Sequence, residues 1–304
     1  MSETPTAHAA DINEIVGTHD LLFVTLDTLR YDVATELLAA GRLPNLARVL
    51  PKDASGRPAW ERRHSPGNFT LAAHSAFFAG FLPTPVTPGP HPRLFAARFD
   101  GSESTGGATW VHDRPTFVEG LADTGYHTVC IGGVGFFNPG NALGRVLPSL
   151  FAEAHWSAET GVAAPRSFEA QIGVARKAVA ALDPQRRVLL FVNVPALHQP
   201  NWFYLEGAQR DESAPAKGDT QESHAAALEY VDRHIGELFE VMAERRACFA
   251  IVCSDHGTLY GEDGLNGHRV AHPLVWTVPY AEFVLPEGWT NDRVGSEPKG
   301  PDAG

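Results

Sequence analysis

The stretch DLLFVTLDTLRYD, residues 20–32, decides the fold. Residues 20–26 form a nearly continuous apolar run, Asp27 follows at once, and a helical pattern covers 30–40. A strand that is apolar without alternation is expected in a sheet covered on both faces. Three more runs read the same way: HTVCIGG (127–133), RVLLFVN (187–193) and ACFAIVC (247–253). Helical patterns precede them at 115–123, 167–182 and 224–245, with Pro115 near a helix start. The last pattern carries Ala227, Tyr230, Val231, Ile235, Leu238, Phe239 and Met242 on one face. Strands alternating with helices predict an α/β three-layer sandwich with a mainly parallel central sheet.

The chain has 304 residues, 36 acidic and 24 basic, and a net charge of −12. That length suits one large domain or two small ones, and no linker divides it. The predicted organisation is an N-terminal extension (1–19), a single catalytic domain (20–286) and a frayed or disordered tail (287–304). Residues 84–107 read as a long Pro- and Gly-rich excursion, and 207–220 as a polar loop. The acidic balance argues against nucleic acid as a partner. Three cysteines, Cys130, Cys248 and Cys253, sit in apolar runs and read as reduced core residues. The N-terminus lacks a basic and an apolar signal region, and no run approaches a membrane span. These features together predict a cytoplasmic protein with no membrane partner. Fourteen histidines are the surplus to explain.

Chemistry is expected where strands end, because ligands of open α/β sheets bind outside the carboxyl edge. The first strand ends in Asp27, the third in Asn193 with His198 five residues on, and the fourth in Ser254-Asp255-His256-Gly257. Each has a plainer reading: Asp27 as a helix cap, His198 as a surface histidine, Asp255-His256 as a turn. The segment SPGNFTLAAHSAFFAGFLP (65–83) places Thr70 at a helix start, as a cap or as a nucleophile, with His74 one turn later. The segment SDHGTLYGEDGLNGHRVAH (254–272) returns His268 toward His256 through a glycine-rich loop. Such oxygen and nitrogen donors suit Zn²⁺ or Mn²⁺. Arg30 reads as a salt bridge to a helix carboxylate or as a phosphate contact. His64, His74, His112, His127, His224 and His234 are weaker candidates, with His74 alone singled out as a group behind the ligands.

At this point the chain resembles the alkaline phosphatase superfamily, in its sulfatase-like branch. FVTLDTLRYD (23–32) is similar to the opening metal strand, and NFTLAAHSAFFAGFLP (68–83) to the nucleophile helix in its Thr version. FVEGLADTGYHTVCIGG (117–133), AALEYVDRHIGELFEVM (226–242) and CSDHGTLYGEDGLNGH (253–268) are similar to the later elements. The resemblance implies an alkaline-phosphatase-like fold and a divalent cation held by Asp27, Thr70, Asp255 and His256, with Thr70 as covalent nucleophile. His198 and His268 match positions that bind a second metal or the substrate's anionic oxygens, and either one is a candidate acid for the leaving oxygen. Asn193 stands where two-metal members carry Asp, so one tight metal is preferred, and a second site using His198, His268 and Asn193 is the alternative.

The resemblance to sulfatases is weakened by the absence of a C/S-x-P-x-R segment and by Thr28 after Asp27. A soluble hydrolase of small anionic phosphate esters is therefore expected, with a sulfatase, a phosphoryl or phosphoethanolamine transferase, and a non-catalytic binding protein as alternatives. The sequence is silent on oligomeric state.

Overall fold

A computed structural model describes residues 11–80, 116–211, 213 and 218–291. Its helices are α1 (Ile12–Ile15), α2 (Tyr31–Ala39), α3 (Pro44–Val49), α4 (Thr70–Ala79), α5 (Phe117–Asp123), α6 (Ser167–Ala180), α7 (Gln221–Ala243) and α8 (Pro273–Trp276). Its strands are β1 (Asp20–Leu26), β2 (Glu61–His64), β3 (His127–Ile131), β4 (Glu153–His155), β5 (Val188–Val194), β6 (Cys248–Cys253), β7 (Leu259–Tyr260), β8 (Asn266–Gly267) and β9 (Thr277–Leu285).

Seven strands form the central sheet in the order β2-β9-β6-β1-β5-β3-β4. The run β6-β1-β5-β3-β4 is parallel throughout, and β9 joins β6 and β2 antiparallel. β7 and β8 make a separate small ribbon. The four apolar runs are the interior strands β1, β3, β5 and β6. Their side chains alternate between two cores. Leu22, Val24, Leu26, Leu190, Val192 and Ala250 face one core with residues of α2, α3, α6 and α7. Leu21, Phe23, Leu189, Phe191 and Phe249 face the other, with Phe78 of α4 and Val118 of α5. A strand that supplies both cores has no polar face, which is why these runs lack alternation.

Helix starts carry their own signals. Thr116 accepts from Glu119 N, and the Glu119 carboxylate accepts from Thr116 N, a reciprocal cap for α5. Thr220 and Ser223 do the same for α7, so that helix begins at 221, three residues before the apolar pattern suggested.

The flanking segments are tied down where they are described. Tyr126 Oη accepts from Gly17 N at 2.8 Å and donates to His19 O at 2.8 Å. The beginning of the expected tail is docked: Gly288 N donates to Ala243 O at 2.8 Å, Trp289 lies against Phe239, and Asn291 N donates to Glu240 Oε1 at 2.7 Å. The tryptophan is the physical reason, because it finds an apolar seat on α7. The remainder of both termini and the 84–107 excursion fall outside the described residues, as does His112. The described part of 207–220 holds no helix or strand.

Candidate active site

Strand register gathers the site. Thr25 of β1 pairs with Asn193 of β5 on one side and with Cys253 of β6 on the other. Two residues past that rung, Asp27 and Asp255 therefore leave adjacent strands level with each other. Both are fully buried, as are His256 and Asn193.

Asp27 is not a helix cap. The N-cap of α2 is Arg30, which makes no side-chain capping bond. Between them Thr28 adopts φ 66°, a left-handed conformation costly for a β-branched residue. That turn aims Thr28 N at Asp255 Oδ1, 3.2 Å away. His256 N also donates to Asp255 Oδ1, at 3.0 Å. Asp27 Oδ2 accepts from Asn193 Nδ2 at 3.0 Å and from Thr70 Oγ1 at 3.4 Å. One oxygen of each carboxylate, Asp27 Oδ1 and Asp255 Oδ2, is buried with no hydrogen-bond partner.

Thr70 is the first residue of α4 and also makes no cap. The N-cap is Phe69, which has no side-chain acceptor. The Thr70 hydroxyl instead stands 3.4 Å from His256 Nε2. His256 Nδ1 donates to Gly257 O at 2.9 Å, so the Nε2 lone pair faces the site. Among the described residues, Asp27, Asp255 and His256 are the one His/Cys/Asp/Glu group whose ligand atoms all lie within 4.8 Å of one another.

Electrostatics agree with this geometry. Burial, and then the neighbouring Asp255, push the Asp27 carboxyl up to about 6. Burial pushes Asp255 up to about 7. Two buried carboxylates with orphaned oxygens beside an inward-facing imidazole nitrogen are poorly compensated by protein alone. A divalent cation satisfies all three, and carboxylate, imidazole and hydroxyl donors fit zinc or manganese.

His268 and His198 line up beside this group. The His268 ring is 4.6 Å from that of His256 and 5.4 Å from that of His198. His268 Nδ1 is buried without a partner. Burial, and then His256, His198 and Arg269, hold His268 down at about 3, so its ring is neutral. That state suits a ligand or a neutral hydrogen-bond donor better than a charged acid. His198 Nδ1 donates to Gln199 O at 2.5 Å, and its ring is half-buried.

Asn193 is not free to join a second cation in the way an aspartate would. Its Oδ1 accepts from Val134 N at 3.1 Å while its Nδ2 donates to Asp27. Arg30 is engaged by two carboxylates, Asp32 at 2.6 Å and Glu262 on the loop that carries His268. Glu262 is a residue that sequence reasoning missed. Its only signal was an acid in a glycine-rich loop, far from Arg30 in the chain.

The other histidines have separate tasks. His64 stacks on Trp276, His127 and His155 both bond Glu153, His234 bonds Glu237, and buried His224 bonds Tyr260. His74 lies fully buried under Thr70.

Loop packing holds the 65–70 and 254–269 segments of the site together. Ser65 Oγ donates to Asp255 O, and Arg269 N donates to Asn68 O at 2.8 Å. Gly257 N donates to Val275 O at 2.7 Å. A Cβ on Gly257 would lie 1.9 Å from Leu274 O, so glycine is required there.

No sequence-family model matches the chain, and no curated protein does. Solved structures do. The C-terminal periplasmic domain of phosphoethanolamine transferase EptC from Campylobacter jejuni aligns with TM-score 0.57 and 14% identity, over 90% of this chain and 81% of that one. The corresponding EptC domain from Escherichia coli, in complex with Zn, gives 0.58 and 13%, over 88% and 74%. A protein in the alkaline phosphatase superfamily from Vibrio parahaemolyticus gives 0.51 and 14%, over 91% and 62%. The fold is thus that of the alkaline phosphatase superfamily.

These likenesses correct the expectation of a cytoplasmic protein, because the EptC domains that share the fold are periplasmic. The three cysteines are free and buried. Their reduced state follows from core packing and so carries no information about compartment. No helix among the described residues is long and apolar enough to cross a membrane.

Proposed function

We propose that this chain is a metal-dependent enzyme that cleaves phosphate esters, with Thr70 as covalent nucleophile. The observation that carries the reading is the Thr70 hydroxyl, which lies 3.4 Å from both Asp27 Oδ2 and His256 Nε2 beside orphaned carboxylate oxygens. Asp27, Thr70, Asp255 and His256 would hold one divalent cation, zinc or manganese. Bound there, such a cation supplies charge that acidifies the threonine hydroxyl and balances the phosphoryl oxygens.

Thr70 Oγ1 gives its proton to solvent water and attacks phosphorus as the bond to the leaving oxygen breaks. His198, at the half-exposed edge of the site, is placed to protonate that oxygen. His268 remains neutral and offers its ring to a phosphoryl oxygen. The free backbone N–H groups at the start of α4 face the same charge. Water then attacks the phospho-threonine, releasing the phosphoryl group and restoring the hydroxyl. The substrate on this reading is a small anionic ester.

A second reading is transfer of the phosphoryl group to an alcohol acceptor. The likeness to EptC domains, named as phosphoethanolamine transferases, favours it. The two readings share every step up to the phospho-threonine.

The test is metal analysis of the purified protein with nitrophenyl phosphate, phosphodiester, phosphonate and sulfate esters, with and without alcohol acceptors. Phosphoryl esters are expected to turn over with one cation per chain, and Thr70→Ala to abolish turnover while the protein stays folded. Full activity in that variant overturns the nucleophile, and a clear preference for sulfate esters overturns the substrate class.

A further inference from the structure

His74 is the buried ionisable group near the site that the chemistry above does not use. Its ring sits in an aromatic socket, with centroids 5.3 Å from Phe137, 5.6 Å from Phe77, 5.6 Å from Phe191 and 6.0 Å from Phe78. Phenylalanine would satisfy that socket at no polar cost. An imidazole there must have both ring nitrogens bonded to be tolerated. Both are bonded, and both bonds go to elements of the site. Nδ1 lies 2.8 Å from Thr70 O, and Nε2 lies 2.9 Å from Thr25 Oγ1.

The donors in this network have one consistent arrangement. Thr70 O can only accept, so Nδ1 carries the hydrogen. With that hydrogen on Nδ1, the singly protonated ring leaves Nε2 to accept from the Thr25 hydroxyl 2.9 Å away. Thr25 Oγ1 then accepts from Asn193 Nδ2, 3.3 Å away, and Asn193 Nδ2 also donates to Asp27 Oδ2. The chain of bonds closes a ring. Thr25 is two residues before Asp27 on β1, and His74 is one helical turn after Thr70 on α4. The helix bearing Thr70 and the strand bearing Asp27 are therefore joined by a bridge that passes through His74.

We propose that His74 is a positioning residue: it locks the helix bearing Thr70 onto the strand bearing Asp27 and fixes the hydroxyl's place. This deepens the proposed function and rests on it. A purely structural histidine would need only to fill the socket.

The experiment compares His74→Phe, His74→Asn and Thr25→Val with the wild type in the metal-loaded protein, with bis(nitrophenyl) phosphate as probe. His74→Phe keeps the aromatic volume. It is expected to keep its melting temperature to within a few degrees and its metal content, and to leave KM unchanged. Its kcat is expected to fall by about 10–100-fold, the usual effect of losing a group that orients a ligand. His74→Asn returns a donor near the Nδ1 position and recovers part of that loss. Thr25→Val lowers kcat in the same direction, and adding it to His74→Phe costs little more, since both break one bridge. Histidine-selective ¹⁵N NMR of the metal-free protein gives a readout independent of turnover. It should show a ring protonated at Nδ1 whose signal His74→Phe removes and Thr25→Val shifts. Wild-type kcat in His74→Phe, fully additive losses, or that same ring protonated at Nε2 instead would overturn the proposal. Should His74→Phe fail to fold, the Asn and Val variants and the NMR signal decide. Failure of the nucleophile reading is separate, because it appears as turnover in Thr70→Ala.

Discussion

Asn193 and Asp27, 166 residues apart in the chain, meet at the carboxyl edge of the sheet, where the Asn193 amide donates to the Asp27 carboxylate at 3.0 Å. A neutral donor thus stands where a second carboxylate would crowd the first. Asn193→Asp removes the donor and buries a like charge beside Asp27 and Asp255. We predict a loss of about 2 kcal/mol in folding stability of the metal-free protein. Chemical denaturation of the metal-free variant at neutral pH measures it, and a stability equal to wild type would count against the assigned amide orientation.

Acid should stabilise the metal-free protein. Folding raises the carboxyls of Asp27 to about 6 and Asp255 to about 7 from an ordinary 3.8. The folded state then binds more protons than the unfolded state, so stability falls as pH rises across that window. A divalent cation competes with those protons and reverses the trend. Melting curves with zinc or with chelator, taken from about pH 5 to about pH 8, should therefore diverge as pH rises. Parallel curves would contradict a cation held by these two carboxylates.

Gly257 follows His256, and its missing side chain lets Leu274 O approach. A Cβ there would lie 1.9 Å from that oxygen, a backbone atom that cannot move cheaply. Gly257→Ala is expected to cost about 3 kcal/mol or to pull the 254–257 turn out of place. Thermal melting together with metal content measures both effects. A variant with wild-type stability and metal binding would show that the turn has room the structure does not show.

Arg269 is an exposed cation beside His268. Its guanidinium lies 5.7 Å from the Phe69 ring, next to Thr70, and no carboxylate partner is found for it among the described residues. We predict that it draws anionic esters into a protein whose net charge is −12. Arg269→Gln should raise KM about tenfold with little change in kcat, an effect that shrinks as salt is added. Steady-state kinetics at two ionic strengths decide. An unchanged KM at low salt would remove Arg269 from substrate recognition.

The four strands β1, β3, β5 and β6 were legible because each supplies two cores and so has no polar face to hide it. The edge strands β2 and β4, and the antiparallel β9, were not. β2 is Glu61-Arg62-Arg63-His64, exposed at every position, and β4 has three residues. β9 mixes buried and half-exposed positions, so neither period stands out. Pairing with neighbours makes these segments strands, and pairing leaves no mark on a charged tetrapeptide.

Asp27, Thr70, Asp255, His256, His198 and His268 could be singled out because each follows a strand, opens a helix or ends a glycine-rich loop. Those positions are local properties, and local sequence determines them. What each side chain does there was decided by partners distant in the chain. Asp27 and Thr70 could equally have been caps until the register of β1 with β6 set Asp27 level with Asp255. Asn193 looked like a weak ligand until Val134 N and Asp27 took both ends of its amide. His74 looked like a weak candidate until Thr25 appeared at its second nitrogen. Composition and periodicity constrain burial and hydrogen-bonding capacity residue by residue. Direction and distance between groups belong to the packed sheet and helices, so only the tertiary structure turned a set of polar strand ends into one site.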